Sequence, residues 1–232
     1  MWDAIYHFIY GYYPYVAVVV FVFGTWRRFR TGQFGWKSKS SQLLRRRELM
    51  IGSNFFHAGV IVILVGHLLG FLTPHSVLTS VGITARQHLI VALVLGGAAG
   101  ISCFIGLTLL IHRRLFDPRI RRTSSAMDIY ILLHLYVQLI LGLATIPISL
   151  QHLDGMQLVQ LGHYFQHLVI LQGDAISYLA GVHWIVHLHL FFGLTLILVF
   201  PFTRLVHMLS LPLSYIGRSY ILVRSKRRQR AA

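Results

Sequence analysis

Hydrophobic and polar positions do not alternate along this chain. They fall into five long apolar blocks separated by short polar segments. Ala4–Trp26 contains no Asp, Glu, Lys or Arg, and neither does Leu49–Ala85, which Pro74 divides so that Gly52–Thr73 remains as the apolar part. Gln87–Ile111, Ile129–Gln151 and a stretch within Ala175–Thr203 that runs on to about His207 complete the set. Each block approaches the ~20 residues that a helix needs to cross a ~30 Å hydrocarbon layer. The pattern predicts an all-α polytopic membrane protein with helices at about 4–26, 52–73, 87–111, 129–151 and 183–207. These form one integral-membrane domain over 1–232, ending in a cytoplasmic tail at 208–232. The runs are too continuous for the alternation of a β-barrel. The first block lacks a basic leader and a small-residue cleavage pattern, so it is read as a retained helix and not a signal peptide. Gly155–Gly173 is also free of charge, but Gln157, Gln160, His163 and His167 recur there at helical spacing beside Leu158, Leu161, Phe165 and Leu168. That amphipathic pattern predicts a helix at about 157–170 lying in the membrane interface and not a sixth crossing.

Composition agrees with this class. Hydrophobic residues make up 56% and charged residues 12% of the chain, against about 25% charged in a soluble domain. Lys and Arg number 21 against 6 Asp and Glu. All but one of these cations lie in segments 27–48, 112–127 and 204–230; Arg86 alone sits in the 74–87 link. The positive-inside rule then orients the chain with its N-terminus outside and its C-terminus in the cytoplasm. It also accounts for the basic excess as loops facing anionic membrane lipid, with no need of nucleic acid. Cys103 is the single cysteine. One cysteine excludes an internal disulfide, a four-cysteine iron–sulfur cluster and covalent haem attachment through Cys-x-x-Cys-His.

The unusual feature is 14 histidines, because an ionisable side chain within a crossing is costly and usually functional. His57 and His67 lie on the second crossing, and His189 and His207 on the fifth. The latter two are 18 residues and so five turns apart on one face, ~27 Å along the axis, while His57 and His67 are separated by ~15 Å and about 80°. The second crossing runs outward and the fifth inward, so depth pairs His57 with His207 near the inner face and His67 with His189 near the outer face. Two such pairs are the ligand set of two stacked, non-covalent b-type haems, each iron six-coordinate and suited to electron transfer. Gly59, Gly66, Gly70 and Gly193 lie nearby, where glycine lets a flat macrocycle approach; the alternative is the ordinary enrichment of glycine in membrane helices. His134, His183, His187, His75, His112, His152, His163 and His167 suit polar or interfacial roles. His88, at the start of the third crossing, is placed to line a proton or substrate route.

Several motifs resemble one family. They are Gly32-Gln-Phe-Gly-Trp36, Ser53-Asn-Phe-Phe-His57, Val65-Gly-His67, Leu72-Thr-Pro-His75, Arg113-Arg-Leu-Phe-Asp-Pro-Arg119, Thr145-Ile-Pro147, Gln151-His-Leu-Asp-Gly155, Leu188-His-Leu190 and Phe200-Pro-Phe-Thr-Arg-Leu-Val-His207. In order and spacing they resemble the gamma (cytochrome b) subunit of respiratory membrane-bound nitrate reductase. The resemblance implies oxidation of menaquinol or ubiquinol near the outer haem. It implies electron delivery to an iron–sulfur beta subunit and a molybdenum-containing alpha subunit, in the inner membrane of a prokaryote, for anaerobic respiration or nitrate assimilation. The quinol site it implies involves Gly66, His67, Gly70 and a helix-three lysine whose nearest counterpart here is Arg86, which keeps the charge but as a planar fork. By charge and depth, Arg113, Arg114 and Arg204 are candidates to hold haem propionates. No residue of this chain is expected to act on nitrate itself, since it has neither a molybdenum motif nor a large soluble domain. Two other readings stay open. One is a di-haem anchor for another oxidoreductase, such as a sulfur-compound reductase or a nitrite oxidase. The other is a haem-free transporter using the histidines as a proton relay, although neither internal repeats nor broken helices are evident.

Overall fold

A computed structural model describes residues 2–32 and 44–209. Residues 33–36 of the first motif, Lys37, Lys39 and the tail from 210 lie outside the described residues. Every regular element among the described residues is helical. The long helices are α1 (Trp2–Thr31) and α2 (Arg46–Leu72), followed by the short α3 (His75–Ser80). Then come α4 (Ala85–Phe116), the short α5 (Pro118–Arg122), α6 (Ala126–Ser149), α7 (Met156–Val169) and α8 (Trp184–Val199). Among the described residues, five stretches are long and apolar enough to cross a membrane: α1, α2, α4, α6, and α8 extended to Phe202. A helix satisfies its own backbone polar groups, which a hydrocarbon layer demands. Many large apolar side chains point outward, among them Val19, Val22, Ile61, Leu68 and Val94, as befits a surface solvated by lipid tails.

Local sequence sets the helix ends. Thr84 caps α4 and Ser125 caps α6, each in a reciprocal capping box with Gln87 and Asp128, which satisfies two otherwise orphaned amides per helix. Thr73 ends α2 in an extended conformation just before Pro74, and the residue before a proline is biased away from helix. Asp117 Oδ1 accepts the amides of Arg119 and Ile120 and starts α5.

The long helices pack in the order α2, α4, α6, α8, α1. The tightest contact joins α2 to α4. A methyl group at Gly106 would lie 2.6 Å from the Gly52 carbonyl oxygen, and one at Gly59 would collide with the Ala99 carbonyl. Gly59 therefore serves helix–helix packing, the ordinary use of small residues in membranes, and not the approach of a macrocycle. By contrast, α2 and α8 do not pack closely on one another among the described residues.

α7 closes one end of the bundle. Its 14 residues rise about 21 Å, short of a crossing. Its buried Tyr164 donates to the Tyr10 carbonyl at 2.8 Å. Pro14 has no amide to direct at that carbonyl, and α1 widens to a π turn at Phe8–Tyr12, as expected where a proline interrupts the ladder. Burial pushes the Tyr164 phenol well above its ordinary pKa. Gln166 Nε2 donates to the carbonyls of Phe71 and Thr73 at the C-terminal end of α2.

The last crossing departs from expectation. The apolar run predicts an α-helix over 183–207, but α8 ends at Val199. The chain continues as 3₁₀ turns at Phe200–Phe202 and Arg204–Leu209. Pro201 contributes no amide to a continuing ladder and clashes with it. His189 and His207 therefore do not share one helix face, and any meeting with α2 has to come from tertiary packing.

Candidate metal centres

His57 and His67 project from α2, His189 from α8 and His207 from the final 3₁₀ turn. The ring centres of His57 and His207 are 6.3 Å apart, and those of His67 and His189 are 6.1 Å apart. A ligating imidazole nitrogen stands about 2 Å from its metal and the ring centre about 1 Å further on, so two imidazoles on opposite sides of one ion have centres about 6 Å apart. His57 and His207 stand at the end of the bundle that carries Arg114 and Arg204. His67 contacts Phe71, which stacks on Phe165 of α7, so the second pair lies toward the opposite end.

The backbone also sets which ring nitrogen carries the proton in a neutral imidazole. His57 Nδ1 donates to the Ser53 carbonyl at 2.7 Å and His67 Nδ1 to the Ile63 carbonyl at 2.8 Å. His189 Nδ1 donates to the Gln138 carbonyl of α6 at 3.2 Å, and His207 Nδ1 to the Arg204 carbonyl at 2.6 Å. A carbonyl only accepts, so the proton resides on Nδ1 and a neutral ring presents its Nε2 lone pair. This is the arrangement by which proteins orient metal-bound histidine. Other histidines use both nitrogens within the protein. His134 meets Tyr130 and the Phe192 carbonyl, and His187 meets Tyr6 and the His183 carbonyl.

Sequence inspection missed Gly142. A methyl group there would stand 3.0 Å from His189 Cε1, so glycine on α6 makes room for that ring. Nothing in the surrounding Leu-Gly-Leu distinguishes it from other membrane glycines. Gly193 lies against Gln138, and a methyl group at Gly66 would meet nothing within 4 Å.

No group of three or more His, Cys, Asp or Glu among the described residues is arranged to hold a metal ion. Two imidazoles do not complete a protein-only zinc site, whereas haem brings four nitrogens of its own and needs only two axial ligands. The donor set fits haem.

The chain matches the family described as nitrate reductase gamma subunit over residues 6–226. It is 45% identical over 220 residues to the respiratory nitrate reductase 1 gamma chain of Escherichia coli strain K12, covering 94% of this chain and 97% of that protein. It is 37% identical over 218 residues to the nitrate reductase gamma chain of Bacillus subtilis strain 168, covering 94% and 97% respectively. The chain belongs to the nitrate reductase gamma subunit family. It is therefore the membrane subunit of an enzyme complex, and its five apolar helices make it a multi-pass protein of the bacterial inner membrane.

The other sequence-selected residues of this gamma subunit are placed as follows. A small cleft near the α7 end is lined by Gly70, His75, His88, His163 and Gln166. Of the four residues expected at a quinol site, Gly70 lines it, with a Gly70 methyl position 3.7 Å from His88 Nε2. Gly66 and His67 lie on the adjoining turn of α2, while Arg86 is exposed and does not line the cleft. His75 and His163 enter it from α3 and α7, elements whose placement only folding reveals. The three propionate candidates all have protein partners. Arg113 donates to the Leu44 carbonyl, Arg114 to Ser124, and Arg204 to Asp128.

Proposed function

We propose that this gamma subunit is a di-haem cytochrome b that oxidises membrane quinol and passes electrons to cytoplasmic partner subunits. The observation that carries the reading is the meeting of His57 with His207 and of His67 with His189 at 6.3 and 6.1 Å, every ring with Nδ1 tied to a carbonyl. His57 and His207 hold the inner haem and His67 and His189 the outer one, both without covalent attachment. When bound, the two haems provide one-electron carriers at two depths of the membrane. The protein's part is to fix four neutral imidazoles and keep them from turning.

Quinol enters between helices beside Gly66, His67 and Gly70, next to the small cleft that Gly70 lines. There the rings of His88, His75 and His163 are within the cleft wall and take up the hydroxyl protons for release outside. Arg86, exposed at the start of α4, is the cation of that side. The N-terminus is outside and the C-terminus inside, α7 lies in the outer interface, and 1–232 forms one integral-membrane domain. The basic inner loops provide the docking face for an iron–sulfur beta subunit, with nitrate reduced on a molybdenum-containing alpha subunit.

The test is a reduced-minus-oxidised spectrum of the purified complex with haem counted per gamma chain. Two b-type haems are expected. His67→Ala or His189→Ala removes the outer one preferentially, and His57→Ala or His207→Ala the inner one. A spectrum without b-type bands, or loss of the same haem from both sets of variants, overturns the proposal.

A further inference from the structure

His207 lies beyond the end of α8, on a 3₁₀ turn that has no long α-helical ladder to stiffen it. The structure replaces that ladder with side chains from two other helices. Arg28 of α1 donates from one nitrogen to the carbonyls of Pro201 and Thr203, both at 2.6 Å. From α6, Asp128 Oδ1 accepts Arg204 Nε at 2.8 Å and lies 2.7 Å from Arg204 Nη2. The backbone carbonyl of that same Arg204 accepts His207 Nδ1 at 2.6 Å. The Asp128–Arg204 pair is mostly shielded, with side chains 12% and 21% exposed. Arg114 Nη1 is 3.8 Å from Asp128 Oδ2, adding a second cation. Beneath the turn, Leu205 and Val206 are buried with Ile131 of α6 and Phe200.

We infer that Asp128 is a positioning residue for His207: it clamps the Arg204 guanidinium, and the Arg204 carbonyl thereby holds the imidazole proton and ring direction. The inference rests on the proposed ligand role of His207. A ligand on an unsupported 3₁₀ turn would sample several ring orientations, and second-layer partners of this kind usually govern ligand geometry. Charge pairing with a fork of two donors resists rotation better than a single contact.

Asp128 also belongs to the Ser125 capping box, so the test has to separate the two roles. The intact complex is prepared with Asp128→Asn, with Arg204→Lys, and with Ser125→Ala as the cap control. Hydrogen exchange is followed at the amides of 204–209, and the low-spin haem signals by electron paramagnetic resonance. In Asp128→Asn and Arg204→Lys, exchange at 204–209 is expected to rise on the order of tenfold. One haem signal should change its g-values while the other stays as in the wild type. Arg204→Lys preserves the charge, so a change there reports lost geometry. Ser125→Ala should leave both readouts unmoved. Unchanged exchange and unchanged signals in both pair variants, or equal changes in all three, overturn the inference. If Asp128→Asn does not assemble, Arg204→Lys alone decides by the same two outcomes. A wild-type complex without haem refutes the proposed function, while exchange at 204–209 still judges the clamp.

Discussion

At the scale of the residue, the decisive event is a proton held on the correct nitrogen. A histidine whose Nδ1 faces a carbonyl offers Nε2 to a metal, and one whose nitrogens both meet protein groups does not. His57 and His67 find their carbonyls one helical turn back, at Ser53 and Ile63, so that bond follows from being on a helix. His189 depends on the Gln138 carbonyl of another helix and on the absence of a side chain at Gly142. Gly142→Ala places a methyl group 3.0 Å from His189 Cε1 and should cost about 1–3 kcal/mol by overpacking. The expected readout is an altered low-spin signal of the proposed outer haem with the proposed inner haem unchanged; an unaltered spectrum would show that the site yields freely. The identity of His57, His67, His189 and His207 as candidates was legible because histidine is rare among apolar residues. Gly142 was not, because its neighbours in space come from α8.

At the scale of the element, the closest fit is between α2 and α4. Gly59→Leu or Gly106→Leu forces the two backbones apart, since methyl groups there already meet Ala99, Phe56 and Gly52. Loss of detergent-solubilised complex at a lower temperature, or failure of the haems to incorporate, is the expected outcome. Unchanged thermal stability would contradict the packing role. α7 provides a pH-dependent tether. His167 Nδ1 lies 2.8 Å from Asp174 Oδ1, and the hydrogen bond from His167 holds the Asp174 carboxyl below its ordinary pKa. A carboxyl depressed in the folded state adds stability above its unfolded pKa, and that contribution is lost as pH falls through the lower folded value. Exchange of amides around 167–179 should therefore accelerate only at pH below the ordinary Asp range. His167→Ala should raise the Asp174 titration midpoint toward its free value. The spacing of Gln157, Gln160, His163 and His167 was enough to anticipate a short amphipathic helix there, and Met156–Val169 forms one. Its partner at the Tyr10 carbonyl was not legible, because that bond joins residues far apart in sequence.

At the scale of the whole molecule, five helices in the order α2, α4, α6, α8, α1 leave α2 facing α8 with rings between them instead of close backbone contact. The proposed orientation predicts that green fluorescent protein fused after residue 232 folds and fluoresces, whereas alkaline phosphatase fused there stays inactive. The reverse pattern would invert the membrane topology. By itself, the sequence determined the class of the protein, because twenty-residue apolar runs have one stable arrangement in a bilayer: helices that satisfy their own backbones. It also determined how many such helices there are and which histidines to watch. The Pro201 break was written in the sequence too, yet the apolar run through it masked the end of α8. What only the tertiary structure decided is how His207 reaches His57 without a continuous helix to carry it. That position comes from Arg28, Asp128 and the core under Val206, contacts between distant segments that one-dimensional periodicity does not encode.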